Sequence, residues 1–207
     1  TGIRWAVEQV LNSKESTLSK GDRDTLVLTH ESSLGLIGRV NNLLDVTALE
    51  QRGGAHAPNQ SVLMRPLLEG IVDSLALSAQ RKDVTITIED SVPAELELVS
   101  DRQTLQHIFF NLIGNAVAYA PANSVVTLDA RTGELEVTNP APALREEDLA
   151  NFGRRFWRKD EGGGGHAGLG LAMIAAAARA QRMTLHFRLD DAHDLHEVLG
   201  YGEVRPS

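Results

Sequence analysis

Asn111, Asn115 and Tyr119 recur at i, i+4 and i+8, a spacing that on a helix stacks them in one polar stripe. A carboxamide oxygen at such a place suits Mg²⁺, which keeps several waters and shares its shell with phosphate oxygens. The ordinary alternative is a solvated pair, since Asn is only a mediocre helix former. A second feature is the run from Glu161 to Met173 (EGGGGHAGLGLAM), which feeds straight into an alanine-rich helix. Free backbone amides at a helix start, with glycines permitting close approach, favour an anionic phosphate; a flexible linker is the competing reading. The run is not a P-loop, because no Gly-Lys-Ser/Thr follows, nor a dinucleotide fingerprint, because no strand leads into Gly168. Third, the period of two over Leu135 and Val137 puts Asn139 on the same face as those buried side chains. A polar group aimed inward needs a partner, unless it caps the turn at Pro140.

These residues need elements to hold them. Beside the asparagine stripe, Leu105, Ile108, Phe109, Leu112, Ile113 and Ala116 form an apolar face, predicting a buried helix opened by a capping box of Ser100 and Gln103. Upstream, Ser61 to Met64 reads as a short strand, and Pro66 suits the first turn of a helix bearing Leu67, Leu68, Ile71, Val72 and Leu75. Val84, Ile86 and Ile88 alternate with polar residues as a half-buried strand, with Leu96 and Leu98 as its expected partner. Val126 and Leu128, then Leu135 and Val137, predict a hairpin turning at Thr132 and Gly133. A final strand pair is expected around Leu185, Phe187 and Val198. The fold class expected is α+β: a two-layer sandwich of helices on one face of a mixed, largely antiparallel sheet.

Residues 1–52 carry two amphipathic helical patterns, an α-helical hairpin, and residues 53–60 read as a linker with two glycines and a proline. The domain of interest then runs over 61–207. A lone hairpin leaves its apolar stripe wet, so pairing with a second copy is expected. The chain of 207 residues is 42% hydrophobic and 23% charged, enough to bury a core and unlike a disordered segment. Its net charge of −8 disfavours nucleic-acid phosphate. With no cysteine, disulfides, thiolate catalysis and Cys-ligated zinc are excluded. The histidines show no metal-type spacing, and no segment is long and apolar enough to cross a bilayer.

Taken in order, the asparagine helix, the inward polar residue at a strand end, a long aperiodic stretch and the glycine-rich helix start resemble the catalytic and ATP-binding domain of sensor histidine kinases. Gln106 to Pro121 (QHIFFNLIGNAVAYAP) is similar to that family's asparagine box. Val137 to Leu144 is similar to its first glycine box, Arg155 to Arg158 (RFWR) to its aromatic box, and Gly168 to Ala172 (GLGLA) to its second glycine box. The hairpin resembles the family's dimerisation and phosphotransfer domain. The resemblance implies Mg-ATP as ligand, with Asn111 and Asn115 as the catalytic pair and Asn115 holding the metal. Tyr119, Asn139, Ala141, Ala143, Arg155, Arg158, Gly168, Leu169, Gly170 and Leu171 complete the implied nucleotide contacts. In hydrolysing relatives a Glu at the position of Asn111 activates water; asparagine cannot, so the implied reaction is γ-phosphoryl transfer to a histidine. A response-regulator receiver domain and a second copy of the chain are the implied partners. The implied location is the cytoplasmic portion of a membrane sensor, with any membrane segment upstream.

Asn139 stands where the family has an adenine-binding Asp; its carbonyl can still accept, without charge assistance. Ala141 and Ala143 replace glycines, which penalises positive φ. Gly153 stands where an aromatic is usual. The acceptor histidine is expected just upstream of Thr1; His30 lies in the second helix, without the motif that should follow it. The chain alone is therefore expected not to autophosphorylate. The rival reading is a degenerate pseudokinase that dimerises or docks a regulator with weak or no ATP binding.

Overall fold

The computed structural model describes residues 60–154 and 170–201. The chain divides into two units at Gln51 and Arg52; the expected hairpin, most of the expected linker, Arg155, Arg158, Gly168 and Leu169 lie outside the described residues. In chain order the elements are β1 (Gln60–Leu63), α1 (Met64–Arg81), β2 (Val84–Ile88), β3 (Glu97–Ser100), α2 (Arg102–Tyr119), β4 (Ser124–Arg131), β5 (Glu134–Pro140), α3 (Glu146–Leu149), α4 (Gly170–Ala180), β6 (Thr184–Leu189) and β7 (Asp194–Gly200). Five strands form a mixed sheet in the order β2-β4-β5-β7-β6. Among the described strands only the β2–β4 pair is parallel. The class is α+β, as the patterning predicts, with helices and sheet closing one core.

That core is built from the stripes legible in the sequence. Leu105, Ile108, Phe109, Leu112, Ile113 and Ala116 of α2 are all buried against Val126, Leu128, Leu135 and Val137 of the sheet. Removing so much apolar surface from water is what holds α2, and the asparagines on its edge, at a fixed height over β5. The β4–β5 turn uses Gly133 at φ +77, a conformation that L side chains rarely adopt.

Two expectations fail. Leu98 does not partner β2: β3 pairs antiparallel with β1, Leu98 facing Val62, in a separate two-stranded sheet. Alternation identifies a strand but not its neighbour. The segment between β2 and β3 is instead pinned by Arg65, whose guanidinium donates to the carbonyls of Val92 (2.8 Å) and Glu89 (2.7 Å). Second, the cap of α2 is Asp101, not Ser100. The Asp101 carboxylate accepts from the amides of Gln103 (3.3 Å) and Thr104 (3.1 Å). Ser100, fully buried, donates from Oγ to Gln181 Oε1 at 3.0 Å, tying the entrance of α2 to the exit of α4. Asp101→Ala is expected to cost about 1 kcal/mol in urea denaturation, the usual loss of an N-cap.

Candidate functional site

Helix α2 presents Asn111 and Asn115 half-buried on the edge next to α4. Asn111 Nδ2 donates to the carbonyl of His107 at 2.8 Å, which fixes the amide and leaves Oδ1 on the side of α4. Gly170, the first residue of α4, sits directly against the pair. A Cβ placed on it would lie 3.6 Å from Asn111 Oδ1 and 3.9 Å from Asn115 Nδ2. The start of the alanine-rich helix and the asparagine stripe, 55 positions apart in sequence between Asn115 and Gly170, thus meet in space. The first amides of a helix have no intrahelical acceptor and carry the positive end of its dipole, so this junction sets the two carboxamide groups beside an anion-attracting helix end. Leu171 points the other way, packing on the core.

Helix α4 is held there by ordinary means. Ile174, Ala177 and Ala178 are buried, and small alanines let the helix lie close to α2 and the sheet. Its end is fixed by Met183 N donating to Ala178 O at 2.8 Å, with Arg182 in the left-handed region at φ 59.

On the sheet side, Asn139 of β5 faces inward with Leu135 and Val137 and is only 1% exposed. Its Nδ2 donates to Pro140 O at 3.0 Å, and its Oδ1 is buried without a donor among the described residues. A buried acceptor left without a donor is rare in a folded protein and calls for a ligand or water. The backbone that follows is fixed by the β6–β7 turn: Ala141 N donates to His193 O at 2.8 Å. Asp190 organises that turn, accepting from the amides of Ala192 (3.0 Å) and Asp194 (2.8 Å) and contacting His196 Nε2 at 3.1 Å. The Asp194 amide above all, then the His196 ring, hold its carboxyl below the usual carboxylate range.

The remaining expected residues fall as follows. Ala141 is buried with its amide already committed, and Ala143 is exposed. Neither has positive φ among the described residues, so alanine replaces glycine there without backbone strain. Tyr119 stands at the end of α2, 62% exposed. Gly153 does adopt positive φ, +79, which explains the missing aromatic at that position. Its neighbour Phe152 packs edge-on against Phe187 of β6 with ring centroids 5.1 Å apart.

Sequence reasoning missed Glu197. Leu195, Glu197 and Leu199 share the inward face of β7, opposite Asn139, Val137 and Leu135 of β5. Glu197 is 2% exposed, its Oε2 lacks a donor, and burial alone pushes its carboxyl up to about 8. Glu136, on the opposite face of β5, is equally buried but paired, with Arg188, His196 and Arg131 around it. Among the described residues no three His, Cys, Asp or Glu side chains converge to hold a metal, and no helix is long and apolar enough to cross a membrane.

Residues 100–198 match the model of the family described as histidine kinase-, DNA gyrase B-, and HSP90-like ATPase. The histidine protein kinase DivJ of Caulobacter vibrioides is 31% identical over 167 residues, 73% of this chain and 26% of DivJ. The chain spans well under half of the length of the first curated relatives it matches, 26% of DivJ among them. The solved cytoplasmic segment of histidine kinase QseC is similar with TM-score 0.61 and 17% identity, covering 80% of this chain and 94% of that one. Full-length ShkA in complex with AMPPNP gives TM-score 0.72 at 20% identity, covering 100% of this chain and 43% of ShkA.

Proposed function

Because residues 100–198 belong to the histidine kinase-, DNA gyrase B- and HSP90-like ATPase family and the chain's relatives are sensor histidine kinases, we propose that this is the Mg-ATP-binding, phosphoryl-donating portion of such a kinase. The observation that carries the reading is the meeting of Gly170 with Asn111 and Asn115, which brings the helix start against the two carboxamide groups, Oδ1 of the first and Nδ2 of the second. The orphaned Oδ1 of Asn139 supports it from the other side, as an acceptor suited to an exocyclic amine.

In this reading Asn139 binds the base, while Gly170 and the first amides of α4 receive the phosphates. Asn115 would hold Mg²⁺ through its carboxamide oxygen, the rest of the shell being water and phosphate oxygen. When bound, the ion neutralises charge on the phosphates. Asn111 orients a phosphate oxygen and has no basic atom with which to activate water, which favours transfer over hydrolysis. The protein thus acts by positioning and by offering donors where charge develops. The acceptor is a histidine on the phosphotransfer hairpin, and relay goes to the aspartate of a response-regulator receiver domain. The functional unit is a dimer in the cytoplasmic portion of a sensor.

Calorimetric titration with ADP and ATP in Mg²⁺ tests the reading. Micromolar binding is expected; no heat at millimolar nucleotide would sink it in favour of a docking module. Gly170→Ala is expected to fold normally, since the new methyl meets its neighbours at ordinary contact distance, yet to weaken ATP about tenfold by filling the phosphate approach. Asn139→Asp is expected to strengthen ADP about fivefold, restoring a charge-assisted acceptor for the base amine.

A further inference from the structure

Two buried side-chain oxygens without a donor stand out among the described residues, Asn139 Oδ1 and Glu197 Oε2. They are not independent. Asn139 opposes Leu195 and Val137 opposes Glu197 on antiparallel strands, so Asn139 and Glu197 are diagonal neighbours on one face of the sheet. Such neighbours have Cα atoms about 7–8 Å apart, within reach of a long side chain. Resting on the functional reading above, we propose that Glu197 is a second base-reading residue of the nucleotide site, specific for adenine jointly with Asn139.

The chemistry follows from the surroundings of Glu197. On the same face β5 offers Leu135, Val137 and Asn139, and β6 offers Leu185 and Phe187. The other charged or titratable groups of these strands, Glu134, Glu136, His186, Arg188, Asp194 and His196, lie on the other face, and Arg102 and His107 of α2 and Arg179 of α4 are exposed. With no charge facing it among the described residues, Glu197 is kept a neutral acid up to about pH 8 by burial. A neutral carboxyl has an O–H to donate, whereas the carboxylate has none. Asn139 as acceptor and the acid as donor complement adenine's amine and adjacent ring nitrogen N1. The base of guanine or inosine, with an acceptor and then a donor at those positions, is mismatched twice.

The test uses the full chain and two nucleotides, ADP and 1-deaza-ADP, which lacks only the N1 acceptor. Wild type is expected to prefer ADP about fivefold at pH 6.5, the usual worth of one hydrogen bond, and to lose that preference by pH 9.5. Glu197→Gln, which keeps an N–H donor, should hold the preference at both pH values, and Glu197→Leu should show none at either. A packing role would alter both affinities equally and leave the ratio untouched. If ADP binds and weakens in Asn139→Ala, but the ratio is one in wild type or unmoved by pH and by Glu197→Leu, the Glu197 proposal fails and the nucleotide-binding reading survives. If ADP does not bind wild type at all, both fail.

Discussion

Glu197→Gln is expected to gain roughly 3–4 kcal/mol of stability over the wild-type chain between pH 4.5 and pH 8, the largest stability effect of any single substitution considered. The sign comes from linkage. The Glu197 carboxyl is raised from its usual 4.5 to about 8 in the folded state by burial, so between those values the native protein holds a proton that the unfolded chain has released. Stability is therefore fully present below about pH 4.5, falls as pH rises, and levels off once the folded carboxyl also ionises near 8. Glutamine has nothing to ionise, so the difference between variant and wild type isolates this one group from every other titration. Urea denaturation at intervals over that range reads it directly. Parallel curves for the two proteins would mean that Glu197 finds a partner in solution.

Asn115→Ala is expected to weaken Mg-ATP by at least about a hundredfold, with little change in folding stability. Asn115 is half-buried on the edge of α2 and the core stripe of that helix does not use it, so the substitution removes a ligand rather than packing. A bound divalent ion contributes through several oxygens at once, and losing one of few protein ligands also frees the polyphosphate it orients. Calorimetry in Mg²⁺ and in EDTA separates the two parts: wild type should lose most of its affinity in EDTA, and the variant almost none. Equal dependence on Mg²⁺ in both proteins would remove Asn115 from the metal's shell.

The stripe of α2, the hairpin of β4 and β5 and the inward face of Asn139 were all legible in the sequence, because each is local and periodic. Ile108, Phe109 and Leu112 mark one side of a helix whatever surrounds it. The partner of β3 was not legible, since pairing between β1 and β3 is a long-range choice made by the whole core. The cap of α2 slipped by one position because Ser100 and Asp101 are both good caps, and Gln181, remote in sequence, claims the serine. Glu197 was hidden for a different reason. A charge-bearing residue between Leu195 and Leu199 breaks the period of two on the very face it occupies, so the strand looks centred on Val198, which faces the other way. Its position next to Asn139 emerges only from the register of β7 on β5.

The convergence of the α4 start with Asn115 is most directly tested by a crystal structure of the chain with AMPPNP and Mn²⁺ in place of Mg²⁺. The account predicts anomalous density for the metal at ligating distance from the carboxamide oxygen of Asn115, with phosphate oxygens on the backbone at Gly170. A nucleotide bound on any other face, or a metal shell formed without Asn115, would contradict it.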